Sequence, residues 1–351
     1  MTPAPRGAGP DASGMAVPGS RRELEASDVA IIVPVGGAAP DWPRAAGSLA
    51  RLDPPPGQII VVIDGPNDAL AATAREIGAA VVVLDERGGP ARARNRGARA
   101  ADRDILLFLD ADVDVPADLA ATVARVFTDR PGVAAVMGSY DARPVDPGVV
   151  SQYRNLLHHF VHQTAREDAS TFWAGCGAVR RQAFLEVGGF DERFGEPSIE
   201  DIELGARLVG GGQKIRLEKS VKVTHLKRWR FGHMLGTDLW RRAVPWTELM
   251  LRDGRLVNDL NVRTRDRVSV ALAFVALGAF AGIWQSPWWL AAGVAALVLL
   301  VAFNAAFFGF LVRQRGTFFA MRAVPLYWTY LLVCGLGFGI GLARHLAGRR
   351  R

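Results

Sequence analysis

Asp110-Ala111-Asp112 closes the apolar run Ile105-Leu-Leu-Phe-Leu109, and a second acidic pair, Glu200-Asp201, follows further along the chain. An apolar run ended by carboxylates reads as a buried strand that carries both acids to its C-terminal tip. Hard divalent cations take oxygen ligands, and Mg²⁺ is held by one or two carboxylates together with substrate phosphates. The downstream pair can supply a base. A site for a phosphorylated donor and a group that deprotonates an acceptor together describe a transferase. Each pair also has a plainer reading: acidic turns after strands are common, and Glu200-Asp201 suits a helix N-terminus, where negative charge meets the macrodipole.

The surrounding pattern supplies elements that could position these acids. Val29–Val35, Gln58–Asp64, Ala80–Leu84, Ile105–Asp110 and Val133–Met137 read as strands. Between them, residues 67–78, 90–101 and 116–128 have helical spacing, the last two opened by Pro. Repeated strand–helix units predict an α/β fold with a doubly wound, mostly parallel, Rossmann-like sheet. Ligands bind such sheets at the C-terminal strand ends, where Asp64 and Asp110 fall. Farther on, Val149–Ala165 and Ser198–Val209 read as helices, and 213–225 as two short strands. Trp173–Val179 is rich in small residues. Asp41-Trp42-Pro43 reads as a loop with a packing Trp, and Asp114 as a cap flanking a helix.

The charge is unevenly placed. The formal net charge is +7, and residues 268–351 hold seven Arg with no Asp, Glu or Lys. The first 267 residues are therefore neutral, and the pI near 10 reflects membrane flanks, not a nucleic-acid footprint. Residues 234–251 are amphipathic, with Trp240 and Trp246 among arginines, as in an interfacial helix. Three apolar segments follow: 268–284, 288–312 and 323–343. Arg313, Arg315 and Arg322 separate the last two. With the polar domain inside, the first two segments form a hairpin by the positive-inside rule. The third either spans or follows a broken, re-entrant path, given Gly335, Gly337, Gly339 and Gly341, and a full span would carry the terminal Arg349–Arg351 outward. Expected domains are a disordered tail (1–28), a polar α/β domain (29–230), an interfacial region (231–267) and a membrane domain (268–351). The tail lacks an apolar core of signal-peptide length, which predicts a plasma (inner) membrane protein with its polar domain cytoplasmic. Cys176 and Cys334 lie in different environments and are read as unpaired, and no zinc spacing occurs.

Taken in order, these motifs resemble family 2 inverting glycosyltransferases of GT-A fold, in their membrane-anchored bacterial form, over about residues 29–230. Ile31-Ile32-Val33-Pro34-Val35 is similar to the family's first strand, which implies that Pro34 lies against the nucleotide. Asp64 resembles the base-side Asp, although the family often has two acids there and this chain has Ile63-Asp64-Gly65. Gly89-Pro90-Ala-Arg-Ala-Arg94-Asn95 resembles a Gly-Pro…Ala-Arg-Asn segment, which implies donor contacts from Arg94 and Asn95; the Arg92–Arg99 cluster reads equally as a solvated helix face. Asp110 and Asp112 resemble the D-x-D metal motif, implying Mg²⁺ or Mn²⁺. Phe172-Trp173-Ala174-Gly175-Cys176 resembles the acceptor-side loop, which brings in Trp173, Gly175 and Cys176. Gly188-Gly189-Phe190-Asp191-Glu192 leads to Glu200-Asp201, whose second acid is the family's base. His225-Leu-Lys-Arg228-Trp229 partly resembles the Gln-x-x-Arg-Trp of processive synthases. The His in place of Gln argues against a long-chain polymer synthase and fits either a third metal ligand or a satisfied strand-end histidine. His158 and His162, one helical turn apart, lack the acidic spacing of a metal site.

The resemblance implies a membrane-bound enzyme that moves a sugar from a nucleotide-diphosphate sugar to a lipid or lipid-linked acceptor of the cell envelope, with inversion and a divalent cation. A nucleotidyltransferase is a second reading, but Val35-Gly36-Gly37-Ala38 is a poor match for its signature. A non-catalytic membrane scaffold is a third. The apolar segments carry no charged residue in their interiors, which disfavours an ion path.

Overall fold

The computed structural model describes residues 22–254, 260 and 263–348. Residues 1–21 of the expected tail, much of the expected interfacial stretch after Gly254, and the Arg349–Arg351 cluster lie outside the described residues. Residues 22–28 pack on the domain: Leu24 N–H donates to Thr128 Oγ1, and Arg22 pairs with Asp28 and Asp104.

Among the described residues, nine strands form one mixed sheet. They are β1 (Val29–Gly36), β2 (Gln58–Asp64), β3 (Ala80–Val83), β4 (Ile105–Leu109), β5 (Val113–Asp114), β6 (Ala135–Tyr140), β7 (Asp168–Ala169), β8 (Cys176–Arg180) and β9 (Ile215–His225). Their order is β3-β2-β1-β4-β8-β6-β9-β5, with β7 on β9. β1 to β4 are parallel, and Gly36 faces Asp64 at the ends of β1 and β2. β1 and β4 read as unbroken apolar runs because both faces are covered. Ile31, Val33, Ile105 and Leu107 pack beneath the helices Trp42–Leu49 and Leu119–Asp129. Ala30, Ile32, Leu106 and Phe108 pack on the other face, against Gly89–Ala100 and Glu200–Gly210.

The second half departs from the expected pattern. β8 runs antiparallel between β4 and β6. Its small residues hid it, and they are there for close approach: a Cβ on Gly177 would collide with Trp173 O and the Phe172 ring. The expected pair of strands at 213–225 is one strand, β9, whose pairing to β6 shifts between Met137 and Ser139, as at a bulge. Asp41-Trp42-Pro43 is not a loop. Trp42 begins a helix, is fully buried, and its indole N–H donates to Leu70 O at 3.3 Å. Asp114 does not cap a helix; it lies on β5 and pairs with Arg44 at 3.2 Å.

Beyond β9, the helix Phe231–Gly236 runs through a π-helical turn, Thr237–Ala243, into Val244–Asp253. The apolar helices are Thr264–Ala281 with a short extension to Trp284, Trp288–Phe303, Ala305–Arg315 and Thr317–Gly348. Two of these, Thr264–Trp284 and Thr317–Gly348, are long and apolar enough to cross a membrane; the bent pair between them makes three if it counts as one span. The third segment, read as either a span or a broken path, is one continuous helix; the break falls in the second, where the chain bends by 76° at Asn304. Asn304 Nδ2 donates to Ser269 Oγ and Leu300 O, and its Oδ1 accepts from Tyr327, so polar contacts replace those the kink removes. The glycines of the last helix do not break it. A Cβ on Gly335 would strike the Phe274 ring, and one on Gly337 would strike Ala243. They serve close helix packing. The domain and these helices share a core, in which Tyr153, Leu156 and Phe160 of the helix Val149–Thr164 meet Phe307, Leu311 and Tyr327.

Candidate active site

The parallel strand ends place Asp64 and the Asp110–Asp112 turn on one edge. Asp64 accepts the N–H groups of Gly88 and Gly89, at 2.7 and 3.1 Å. It thereby ties β2 to the N-terminus of the helix Gly89–Ala100, whose open N–H groups suit an anion. Gly89 has a φ of +83°, and a Cβ there would collide with Gly195 O. Pro34, on the same edge, lies opposite Val62.

Arg94 reaches in from that helix. It is neither a solvated face nor a free phosphate ligand. Its guanidinium donates to Glu200 Oε1 at 2.8 Å and to Asp110 Oδ1 at 2.7 Å, and its side chain is 5% exposed. Burial works to lower its pKa, and Asp110 and Glu200 outweigh it, so the net shift is upward. Burial pushes Asp110 up despite Arg94. Asn95 makes no outward contact: its amide donates to Phe190 O and Glu192 and accepts from Phe190 N–H. It fixes the Gly-Gly-Phe-Asp-Glu loop to the helix.

Asp112 turns to the other side, where His225 Nε2 stands 3.7 Å from its Oδ2. Burial acts to raise Asp112, but the neighbouring His225 and Lys227 outweigh it and hold the carboxyl low. His225 ends β9 opposite Val113 and stacks on Tyr140 at 4.1 Å. Asp41 also feels this charge: burial and Asp112 raise it. No group of three or more His, Cys, Asp or Glu converges as a closed metal site among the described residues. Asp112 and His225 are instead an open pair, and Asp110 is committed to Arg94.

Glu200 and Asp201 begin the helix Glu200–Gly210 and have separate surroundings. Glu200 is buried, bonded to Arg94 and to Ser198 N–H. Asp201 accepts from Ala174 N–H at 3.1 Å, and burial, then the neighbouring Glu200, raise it to about 7. A carboxyl poised there can take a proton at neutral pH.

The remaining expected residues divide. Trp173 lies edge-on to Tyr140 at 4.8 Å and beside His158. Gly175 accepts from Asp110 N–H, and the Trp173 indole occupies the space a Cβ would need. Cys176 is not on an acceptor surface: it is buried in the sheet opposite Leu109, and burial pushes its thiol up to about 12. Arg228 is exposed, and its charged neighbour is Asp146 at 3.6 Å, outside the carboxylate cluster. Trp229 is buried among the apolar helices and lies beneath Lys227. The His158 and His162 rings lie 4.0 Å apart, tilted by 38°, and burial lowers both, which fits packed neutral rings. Both cysteines are free.

Sequence reading missed Tyr140, the buried pair Arg154–Asp238 at 2.6 Å, and Arg242. Tyr140 carries no local signal. Arg242 was visible as one of several arginines on an amphipathic stretch.

Residues 30–188 match the profile described as "Glycosyl transferase family 2". The pre-mycofactocin glycosyltransferase of Mycobacterium tuberculosis is 30% identical over 208 residues, 56% of this chain and 42% of its own length. The poly-beta-1,6-N-acetyl-D-glucosamine synthase of Staphylococcus aureus is 27% identical over 209 residues, 56% of this chain and 49% of its own. The chain thus spans about half the length of the curated relatives it matches. In structure it is similar to the mannosyltransferase PcManGT from Pyrobaculum calidifontis, solved with GDP-Man and Mn²⁺, with a TM-score of 0.55 and 20% identity over 90% of this chain and 88% of that one. The strand ends that gather Asp64, Asp110 and Asp112, and the helix that brings Asp201 to them, form a GT-A-like domain, of which residues 30–188 match the glycosyl transferase family 2 model.

Proposed function

We propose that the protein is a membrane-anchored glycosyltransferase that moves a sugar, with inversion, from a nucleotide-diphosphate sugar to a lipid or lipid-linked cell-envelope acceptor. The observation that carries this reading is the Asp201 carboxyl, raised to about 7 and held by Ala174 N–H on the helix whose first residue, Glu200, shares Arg94 with Asp110. A hydroxyl of the acceptor attacks the sugar C1, the bond from C1 to the diphosphate oxygen breaks, and Asp201 takes the hydroxyl proton. Single displacement inverts C1. Pro34 and Asp64 border the nucleotide, and the N-terminus of the helix Gly89–Ala100 faces the diphosphate. Arg94 holds Asp110 and Glu200 in place. Trp173 and Tyr140 wall the acceptor side.

Asp112 and His225 fit a divalent cation, Mg²⁺ or Mn²⁺. An open pair of one carboxylate and one imidazole leaves room for phosphate oxygens and water. When bound, the ion neutralises charge on the departing diphosphate. A nucleoside-diphosphate sugar with a divalent ion, the pair named for the Pyrobaculum neighbour, is the donor form proposed here. The apolar helices packed on the domain support a membrane site. The Arg residues between the second and third apolar segments support a cytoplasmic catalytic face.

A screen of UDP- and GDP-sugars, with the full chain in detergent and either cation, tests the reading by release of nucleoside diphosphate. Release of pyrophosphate, or no donor binding, would overturn it. Retention of the donor's anomeric configuration in the product would overturn inversion.

A further inference from the structure

The π-helical turn Thr237–Ala243 has no task in the proposed reaction. Such turns are rare and are frequent at functional sites. This one is held on three sides. Asp238 pairs with Arg154 of the helix Val149–Thr164 at 2.6 Å, and both side chains are buried. Ala243 lies against Gly337, and a Cβ on Gly341 would come within 2.8 Å of Thr247. The turn and the helix after it are therefore seated closely on the candidate span Thr317–Gly348. The third side is the loop that leads into Glu200. Ser198 Oγ donates to Arg241 O at 3.0 Å, and Arg241 pairs with Glu196 at 2.8 Å.

The two contacts with the loop are unequal. The side chains of Glu196 and Arg241 are 77% and 43% exposed, so water and salt compete for that pair. The Ser198 hydroxyl ends on a backbone carbonyl, which moves only with the turn. Ser198 also donates its N–H to Glu200 Oε2 at 2.8 Å, and Ile199 between them is buried. A shift of the loop thus carries the first turn of the helix Glu200–Gly210 with it. Asp201 follows, because its carboxyl is held by backbone donors: Ala174 N–H at 3.1 Å and Ile202 N–H at 2.8 Å. Its aim depends on where the helix start is placed. We propose that the π-helical turn positions Asp201, with Ser198 as the positioning residue that transmits the seating of the turn on Thr317–Gly348 to the start of the helix Glu200–Gly210. Turnover then depends on how that last helix sits, while the donor groups at the ends of β1, β2 and β4 do not. This rests on the glycosyl-transfer reading with Asp201 as base, and adds the element that aims it.

The full chain in detergent tests it, through release of nucleoside diphosphate from the UDP- or GDP-sugar that the wild type uses and through binding of GDP or UDP with Mn²⁺. Ser198→Ala lowers kcat by at least about tenfold, since a misplacement of about 1 Å at the reacting groups can cost about 10²-fold. The KM for the donor, nucleotide binding and the melting temperature stay at their wild-type values. Ser198→Thr, which keeps the hydroxyl, restores kcat. Gly337→Ala, which pushes Ala243 away from the last helix, lowers kcat in the same way. Gly339→Ala, on the same helix with nothing within 4 Å of its Cβ, leaves kcat unchanged. Ser198→Ala and Gly337→Ala combined cost less than the product of their separate losses, because both act through one contact. Wild-type kcat in Ser198→Ala overturns the proposal, as does a Ser198→Thr variant as slow as Ser198→Ala. Equal kcat in the Gly337 and Gly339 variants, fully multiplied losses in the double variant, or a loss of nucleotide binding that matches the loss of kcat does the same. None of these outcomes touches the glycosyl-transfer reading, which fails instead if the wild type neither binds a nucleotide nor releases one.

Discussion

Arg94 and Glu200, 106 residues apart in the chain, meet in a buried ion pair at 2.8 Å, and the other arm of the same guanidinium holds Asp110 at 2.7 Å. One cation thus joins the D-x-D turn to the helix that begins with the second acidic pair. Removing one partner of a buried pair leaves an uncompensated charge and costs about 3–5 kcal/mol. Arg94→Met is expected to lower the melting temperature and to abolish donor binding. An unchanged melt would show that the pair does not hold the two acids together.

Asp201→Asn keeps the shape of the side chain but not its basicity. Turnover should fall by about 10²–10⁴, the range for loss of a positioned proton acceptor, with donor binding retained. The same group sets the pH profile. Its carboxyl is raised to about 7, and only the ionised form accepts a proton. Activity should therefore rise with pH up to about 7, level off above it, and fall in acid. A profile that keeps this limb in Asp201→Asn would assign it to another group.

Asp112 and His225 stand as an open pair 3.7 Å apart. Asp112→Ala and His225→Ala should each weaken Mn²⁺ binding by at least about tenfold, since even outer partners of metal ligands cost that much. Calorimetry with Mn²⁺ in the presence of nucleoside diphosphate reads this directly. Asp110→Ala should act mainly through Arg94, with a larger effect on stability than on cation affinity. Equal Mn²⁺ affinity in the Asp112 and His225 variants would remove the pair from the cation.

Gly89 sits at φ +83°, with no room for a Cβ beside Gly195 O. A side chain in that region costs about 1–2 kcal/mol before any clash. Gly89→Ala should lower the melting temperature and loosen Gly88 and Gly89 from Asp64, raising the KM for the donor more than it lowers kcat. A variant with wild-type KM would show that this turn does not shape the donor site.

How much of this could be read in advance depended on how local the physics is. β1, β2 and β4 were legible because a strand covered on both faces must be apolar along its length. The acids at their tips were legible because burial ends there. β8 was hidden, because Gly177, and Gly175 just before the strand, make room for Phe172 and Trp173 and carry no strand propensity. Cys176 resembled an acceptor residue in order along the chain, yet its β position turns it into the sheet. The glycines of the last helix allowed either close packing or a break, and they serve packing; the actual bend lies at Asn304, which is stabilised by Ser269 and Tyr327 from other helices.

The amino-acid sequence by itself determined the parallel strands, the order of the motifs, the acids available for chemistry and the apolar character of residues 268–351. Those follow from short-range periodicity and from residue type. Only the tertiary structure decided which acid stays available. Glu200 is consumed by Arg94 and Asp201 is left to the cleft, although the two are neighbours, because the guanidinium reaches one and Ala174 N–H the other.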